Sequence, residues 1–177
     1  MKKVLLASVL AASILVANPA AAQTADGSFF VGGDIGHAKL DESGLDSGNL
    51  FAVNGGYRWQ IAPALKIGAE GGYVQLGDFD AGWADAKAKM KGWTLGGNLH
   101  YNFTPNWYAS ARLGAFFADL SFSSRYGSYS DDRTGSYGGV GFGYDFSNNA
   151  SVGLNYTHFR VAGSDVNALS VNGEWRF

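Results

Sequence analysis

The chain has 177 residues, with 16% charged and 15% aromatic residues, 26 Gly and no Cys. That is enough for one domain; it leaves no disulfide or thiolate chemistry, and no apolar run after the N-terminus is long enough for a helical membrane span. Thirteen basic and 15 acidic residues give a formal net charge of −2, which supplies no basic face for nucleic acid.

Residues 1–22 read as a secretory signal, with Lys2 and Lys3 before the apolar core Val4–Val16 and the small residues Ala20, Ala21 and Ala22 at the cleavage site. Removing them takes away two bases and no acid. The mature chain, 23–177, then carries 11 basic and 15 acidic residues, a net charge of −4.

Period-two alternation then marks one strand after another. Strand one runs from Phe29 to about Leu40, with Phe29, Val31 and Ile35 on one face and Asp34 on the other. Lys39–Gly48 reads as a loop. Strand two, about Asn49–Gln60, sets Phe51, Val53, Tyr57 and Trp59 against Asn54, Gly56 and Arg58. After a turn at Ala62-Pro63, strand three, about Leu65–Leu76, sets Leu65, Ile67, Ala69 and Tyr73 against Lys66, Gly68 and Glu70. Gly77 to about Lys89 reads as a long polar loop.

Strand four has the cleanest pattern: Trp93, Leu95, Leu99, Tyr101 and Phe103 alternate with Thr94, Gly96, Asn98, His100 and Asn102. A turn at Thr104-Pro105-Asn106 leads into strand five, about Trp107–Asp119, with Leu113 and Phe117 opposite Tyr108, Ser110 and Arg112. Ser121–Ser136 reads as a second long loop. Strand six, about Tyr137–Phe146, is Gly-rich and weakly patterned; strand seven, about Ala150–Phe159, sets Val152, Leu154 and Tyr156 against Gly153, Asn155 and Thr157. Arg160–Val166 reads as a loop. The last strand alternates Leu169, Val171, Gly173, Trp175 and Phe177 with Ala168, Ser170, Asn172, Glu174 and Arg176.

Eight strands of about ten residues, joined by alternating short turns and long loops, predict an all-β fold: an eight-stranded antiparallel up-and-down transmembrane β-barrel. An even strand number lets the first and last strands pair and leaves no edge, and puts both mature termini in the periplasm. The facing follows from cost. A one-residue register slip would turn Arg58, Glu70, Asn98 and Arg112 towards lipid, and an Arg at the bilayer midplane costs about 2–4 kcal/mol.

The runs Gly55-Gly56-Tyr57, Gly68-Ala69-Glu70-Gly71-Gly72-Tyr73, Arg112-Leu113-Gly114 and Trp175-Arg176-Phe177 resemble the transmembrane barrel of outer-membrane protein A, with the opacity and OmpX/Ail types as neighbours. The resemblance covers the mature chain. It implies insertion by the barrel-assembly machinery, which reads a C-terminal aromatic such as Phe177. It also implies a lumen salt-bridge network in which Glu70 and Arg112 match two charged positions. Asn98 stands where that network has a Lys, and Gly143 and Gly153 stand where it has an acid and an Arg, so the family's gating arrangement does not carry over.

The predicted lumen charges form two layers. Asp34, Glu70 and Arg112, with Asn98, lie near mid-height; Arg58, Lys66, Glu174 and Arg176 lie near the periplasmic mouth. They read as a polar plug rather than an ion path, because an eight-stranded barrel is just wide enough for its side chains to fill and an unpaired buried charge is costly. Trp59, Trp93, Tyr101, Trp107 and Trp175 read as aromatic girdles at the membrane interfaces.

No catalytic, cofactor or metal site is expected. Tyr156-Thr157-His158 is similar to a stretch of outer-membrane lipid A deacylases, but their Ser two residues after the His is Arg160 here. His37, His100 and His158 sit on three different strands. The loop acids lack calcium-loop spacing. Expected partners are outer-membrane lipid and lipopolysaccharide, and a surface partner through the loops; Lys87, Lys89 and Lys91 could touch lipopolysaccharide phosphates and Tyr126 and Tyr129 could anchor a partner, but the loop charges read better as solvated. The expected role is structural or surface-interactive, with a narrow porin as the alternative.

Overall fold

The computed structural model describes residues 27–40, 48–81, 86–124, 127–161 and 163–177; for 40, 77–81, 86–89, 120–124 and 127–132 it describes the backbone only. The expected signal segment lies outside the described residues. Eight strands follow in order: β1 Gly27–Leu40, β2 Gly48–Ala62, β3 Leu65–Ala81, β4 Ala86–Asn102, β5 Trp107–Ser124, β6 Gly127–Asp145, β7 Ala150–Val161 and β8 Ser164–Arg176. Each pairs antiparallel with its neighbours, and β1 pairs with β8 from Phe30↔Arg176 to Leu40↔Val166, so the sheet is a closed barrel.

One end of the barrel carries both described chain ends and the three short turns, after β2, β4 and β6. It is termed the terminal end here, and the opposite one the far end. At the far end the strands run further than expected. Of the expected loop 77–89, residues 77–81 and 86–89 are strand: β3 continues to Ala81, past a register shift between Leu76 and Asp78, and pairs with β4 down to Ala81↔Ala86. Residues 121–124 and 127–136 are strand as well, since β5 and β6 pair to Ser124↔Gly127. Between 160 and 166 the ladder continues to Val161↔Ser164, with Gly163 at φ 89° in the turn. Strand lengths are therefore 12–19 residues rather than about ten. A ladder is held by backbone hydrogen bonds and continues where side chains on both faces are polar, so the apolar alternation ends before the strand does.

The outer wall follows the predicted facing. Ile35, Leu95, Leu113, Val140, Leu154 and Leu169 are all exposed, Leu113 by 71%. So much contiguous apolar surface exceeds what water-soluble monomers expose and matches a lipid-facing band. Trp59, Tyr101, Trp107 and Trp175 lie towards the terminal end of this wall, and Trp93 towards the far end. Tyr101 and Trp93 are eight residues apart on β4, which at a tilt of about 40° is a rise of about 20 Å.

The inner wall departs from the expectation of a polar plug. Its terminal half is polar, but its far half is a buried apolar cluster that includes Leu50, Leu76, Met90, Phe116, Phe159 and Val166. Phe116, Leu76 and Val166 are fully buried. The lumen of so small a barrel is too narrow for bulk water. Apolar side chains fill it without the partners that each buried polar group requires.

Candidate functional site

The candidate site is the closed lumen, and its geometry follows from rows of residues that run around the barrel through the strand register. Glu70 on β3 is paired with Gly96 on β4, Gly96 with Gly114 on β5, and Gly114 with Tyr137 on β6. All four face inward. A Cβ on Gly96 would lie 2.6 Å from Tyr137 Oη, and one on Gly114 would lie 2.8 Å from Tyr137 Cε1. The Tyr137 ring thus lies across two bare strands, and its hydroxyl donates to Glu70 Oε1 at 2.9 Å. Arg112 Nε stands 3.5 Å from the same oxygen. With the Asn54 amide oriented so that it donates to Gly32 O, its Oδ1 accepts from Arg112 Nη2 at 2.7 Å.

A second row uses the same device. Tyr108 on β5 is paired with Gly143 on β6, which is paired with Gly153 on β7. A Cβ on Gly143 or Gly153 would meet the Tyr108 hydroxyl oxygen at 2.5 or 2.6 Å. These are the two glycines found where the resemblance places an acid and an Arg; here Tyr108 fills the space. Its ring also stacks on His100, with centroids 4.2 Å apart.

In a third row, Arg58 on β2 crosses Gly68 on β3 to donate from Nε to Asn98 Oδ1 at 2.7 Å. From the same guanidinium, Nη1 and Nη2 donate to the two carboxylate oxygens of Glu174 at 2.6 and 2.8 Å, passing over β1. The Arg58 head rests on the Phe30 ring, 3.9 Å from its centroid. Both charged side chains are over 90% buried, so this fork is a desolvated, doubly hydrogen-bonded pair.

The predicted site residues fall into three groups. Arg58, Glu174 and Asn98 come together, so Asn98 joins the lower layer rather than the mid-height one. Glu70 and Arg112 come together with Tyr137. Asp34 stands apart from both, accepting from Asn155 Nδ2 at 2.8 Å, Ser170 Oγ at 3.1 Å and Asn172 Nδ2 at 3.3 Å. At the terminal mouth Arg176 Nη2 donates to Asp145 Oδ1 at 2.7 Å. Lys66 lines a vestibule of about 540 Å³ there. Phe177 N–H donates to Phe29 O at 2.9 Å, adding one bond beyond the closing ladder.

Asp145 is the residue that sequence reasoning missed. It binds Arg176, accepts from Asn102 Nδ2 at 2.7 Å and faces His100 Nε2 at 3.6 Å. The outward run Val140, Phe142 and Tyr144 sets the parity of β6 and would have turned Asp145 inward with Tyr137. Above the vestibule the polar half contains a cavity of only about 20 Å³, bounded by Arg58, Glu70, Asn98 and Arg112 among others. That is room for about one water.

Comparison with known proteins agrees with the geometry. The model of the outer membrane protein β-barrel domain matches residues 8–177. The chain belongs to this family. Members and neighbours of known structure share its fold at low identity. Ail, the attachment invasion locus protein of Yersinia pestis, solved in complex with the heparin analogue sucrose octasulfate, superposes with a TM-score of 0.62 at 18% identity, covering 86% of this chain and 98% of Ail. Neisserial surface protein A gives 0.59 at 16% identity, covering 84% and 97%. The outer membrane protein OprG of Pseudomonas aeruginosa gives 0.55 at 15%, covering 86% and 96%. At these identities the likeness concerns the fold alone. No curated protein sequence matches the chain.

The family is an outer-membrane one, which accounts for the apolar outer wall. The three histidines of the chain are scattered over it: His100 is buried in the lumen near the terminal end, whereas His37 and His158 lie on the outer wall near the far end. Among the described residues no group of His, Cys, Asp and Glu is arranged to hold a metal ion. Tyr126 lies outside the described residues, as do the side chains of Lys87, Lys89 and Tyr129.

Proposed function

We propose that the protein is a non-conducting outer-membrane barrel with a structural and surface-interaction role, its terminal end in the periplasm and its far end outside. The observation that carries this reading is the double closure of the lumen. The Arg58–Glu174 fork and the flat Tyr108 and Tyr137 rings fill the terminal half, and the Phe116 layer fills the far half. An ion would have to displace buried charge pairs and then cross an apolar constriction, which itself opposes conduction by dewetting. Phe177 serves as the aromatic signal read by the assembly machinery.

The surface role rests on the projecting strands. The β2–β3 ladder ends at Leu50↔Leu76 and the β6–β7 ladder at Ser136↔Arg160, while β3, β4, β5 and β6 continue together beyond both. Among the described residues, the backbone of 127–134 in β6 has no register partner on β7. A free strand edge outside the membrane can add a strand from a partner.

A narrow porin is the second reading, favoured by the open vestibule at the terminal mouth. Liposomes loaded with a small dye and a small sugar separate the two. Refolded protein should leave both retained, as in protein-free liposomes. Release of either would favour the porin. Protease added to intact cells should cut within the hairpin 77–89, and protection there would reverse the orientation.

A further inference from the structure

One side of the outer wall carries a polar cluster directly above the apolar band, where the facing rule places only lipid contacts. On β7 the outward residues Tyr156, His158 and Arg160 follow one another; on β8, Asp165, Asn167 and Leu169; on β1, His37 and Lys39. The register sets His158 beside Asn167 and Asn167 beside Lys39, and one step below sets Tyr156 beside Leu169 and Leu169 beside His37. Arg160 and Asp165 form the row above.

The cluster is built. Tyr156 Oη–H donates to Asn167 Oδ1 at 2.7 Å, and His158 Nδ1 meets the same oxygen at 2.8 Å. His158 Nε2 lies 3.5 Å from Asp165 Oδ1, and Arg160 Nε donates to that oxygen at 2.9 Å. Asp165 is the one acid among the described outward residues of this wall, and Arg160 already neutralises it. Lys39 and the His37 imidazole remain as further donors; both ring nitrogens of His158 already face acceptors. The Arg160 side chain is 66% exposed, so its remaining N–H groups face outward.

The height is that of a membrane interface. Asn167 lies eight residues along β8 from Trp175, the same interval as from Tyr101 to Trp93 on β4. Beneath the cluster the wall returns to exposed Ile35, Leu154, Leu169 and Val171. Donors above and aliphatic side chains below fit a molecule with an anionic head and acyl chains. On the opposite wall, among the described side chains, the outward Lys91 is paired in register with Asp119.

We propose that the β7–β8–β1 wall binds the phosphate-bearing headgroup of an outer-leaflet lipid, lipopolysaccharide, with Lys39 and Arg160 as donors to the phosphate and Ile35, Leu154 and Leu169 as the acyl-chain contact. This rests on the proposed orientation, with the far end outside, and not on whether the lumen conducts. It is a different surface from the one that carries Lys87, Lys89 and Lys91.

The test is binding of lipopolysaccharide, and of the same lipid enzymatically stripped of phosphate, to the refolded barrel in phosphatidylcholine nanodiscs. The wild type should prefer the phosphorylated form. Lys39→Gln combined with Arg160→Gln should weaken binding about tenfold or more, the scale of one lost charge-assisted contact, while Lys91→Gln should not change it. Arg160→Lys should retain part of the affinity, and the heat-dependent gel shift of each variant reports whether it folds. Equal affinity for the two lipids, an unchanged double variant, or full competition by inorganic phosphate alone would overturn the proposal. A barrel that conducts but keeps this preference contradicts the closed lumen and leaves the lipid site standing.

Discussion

Arg58 and Glu174 face each other across β1, joined by two hydrogen bonds of 2.6 and 2.8 Å although 116 residues separate them in the chain. The fork ties β2 to β8 over the seam where the barrel closes. It therefore holds together the two ends of the chain, which fold onto each other last if the hairpins form in sequence.

Breaking the fork from one side leaves a buried charge without its partner. Glu174→Gln or Arg58→Ala should each destabilise the barrel by about 3–5 kcal/mol, read as the urea midpoint of unfolding in lipid vesicles. Replacing both by Met should cost less than either single change. A double variant as unstable as the sum of the singles would mean that the two side chains act independently.

The glycine slots predict a specific coupling. Gly153→Ala places a methyl group 2.6 Å from the Tyr108 hydroxyl oxygen, nearer than any backbone atom, and should cost about 1–3 kcal/mol by overpacking. In a Tyr108→Ala background the same substitution should cost much less, because the ring that needs the slot is gone. Equal costs in the two backgrounds, from the same urea titrations, would show that the slot serves the backbone and not the ring.

The outer wall predicts a depth dependence. Leu113→Arg, at an exposed position near mid-height, should destabilise the barrel by about 2–4 kcal/mol in bilayers. Single-tryptophan variants should separate by leaflet under quenching with lipids brominated on one side: Trp93 in one group, Trp59, Trp107 and Trp175 in the other. All four quenched from the same side would refute the placement of the belts.

The facing of almost every strand was legible in the sequence because it depends only on period two along one strand. Trp93 to Phe103 shows this best. The strand ends were not legible, since the ladder over 121–124 and 127–136 is held by backbone hydrogen bonds after the apolar face has ended. The side-chain partners were only half legible. Glu70 and Arg112 were singled out together, but Tyr137 could not be joined to Glu70 without knowing that Gly96 and Gly114 lie between them in register. The apolar half of the lumen was signalled by Phe116 and Leu76, each at an inward position, while Val166 fell in an expected loop, and the rule that lumens are polar outweighed the signal. That rule describes water-filled barrels, and this barrel is too narrow to be one.

The apolar layer carries the central claim, and single-channel recording in planar bilayers tests it most directly. The refolded mature protein should show no steps at neutral pH, and Arg112→Ala, although less stable, should also stay silent because the Phe116 layer above it is intact. Stable open steps from the wild type would contradict the closed lumen, and steps from Arg112→Ala alone would assign the closure to the polar half only.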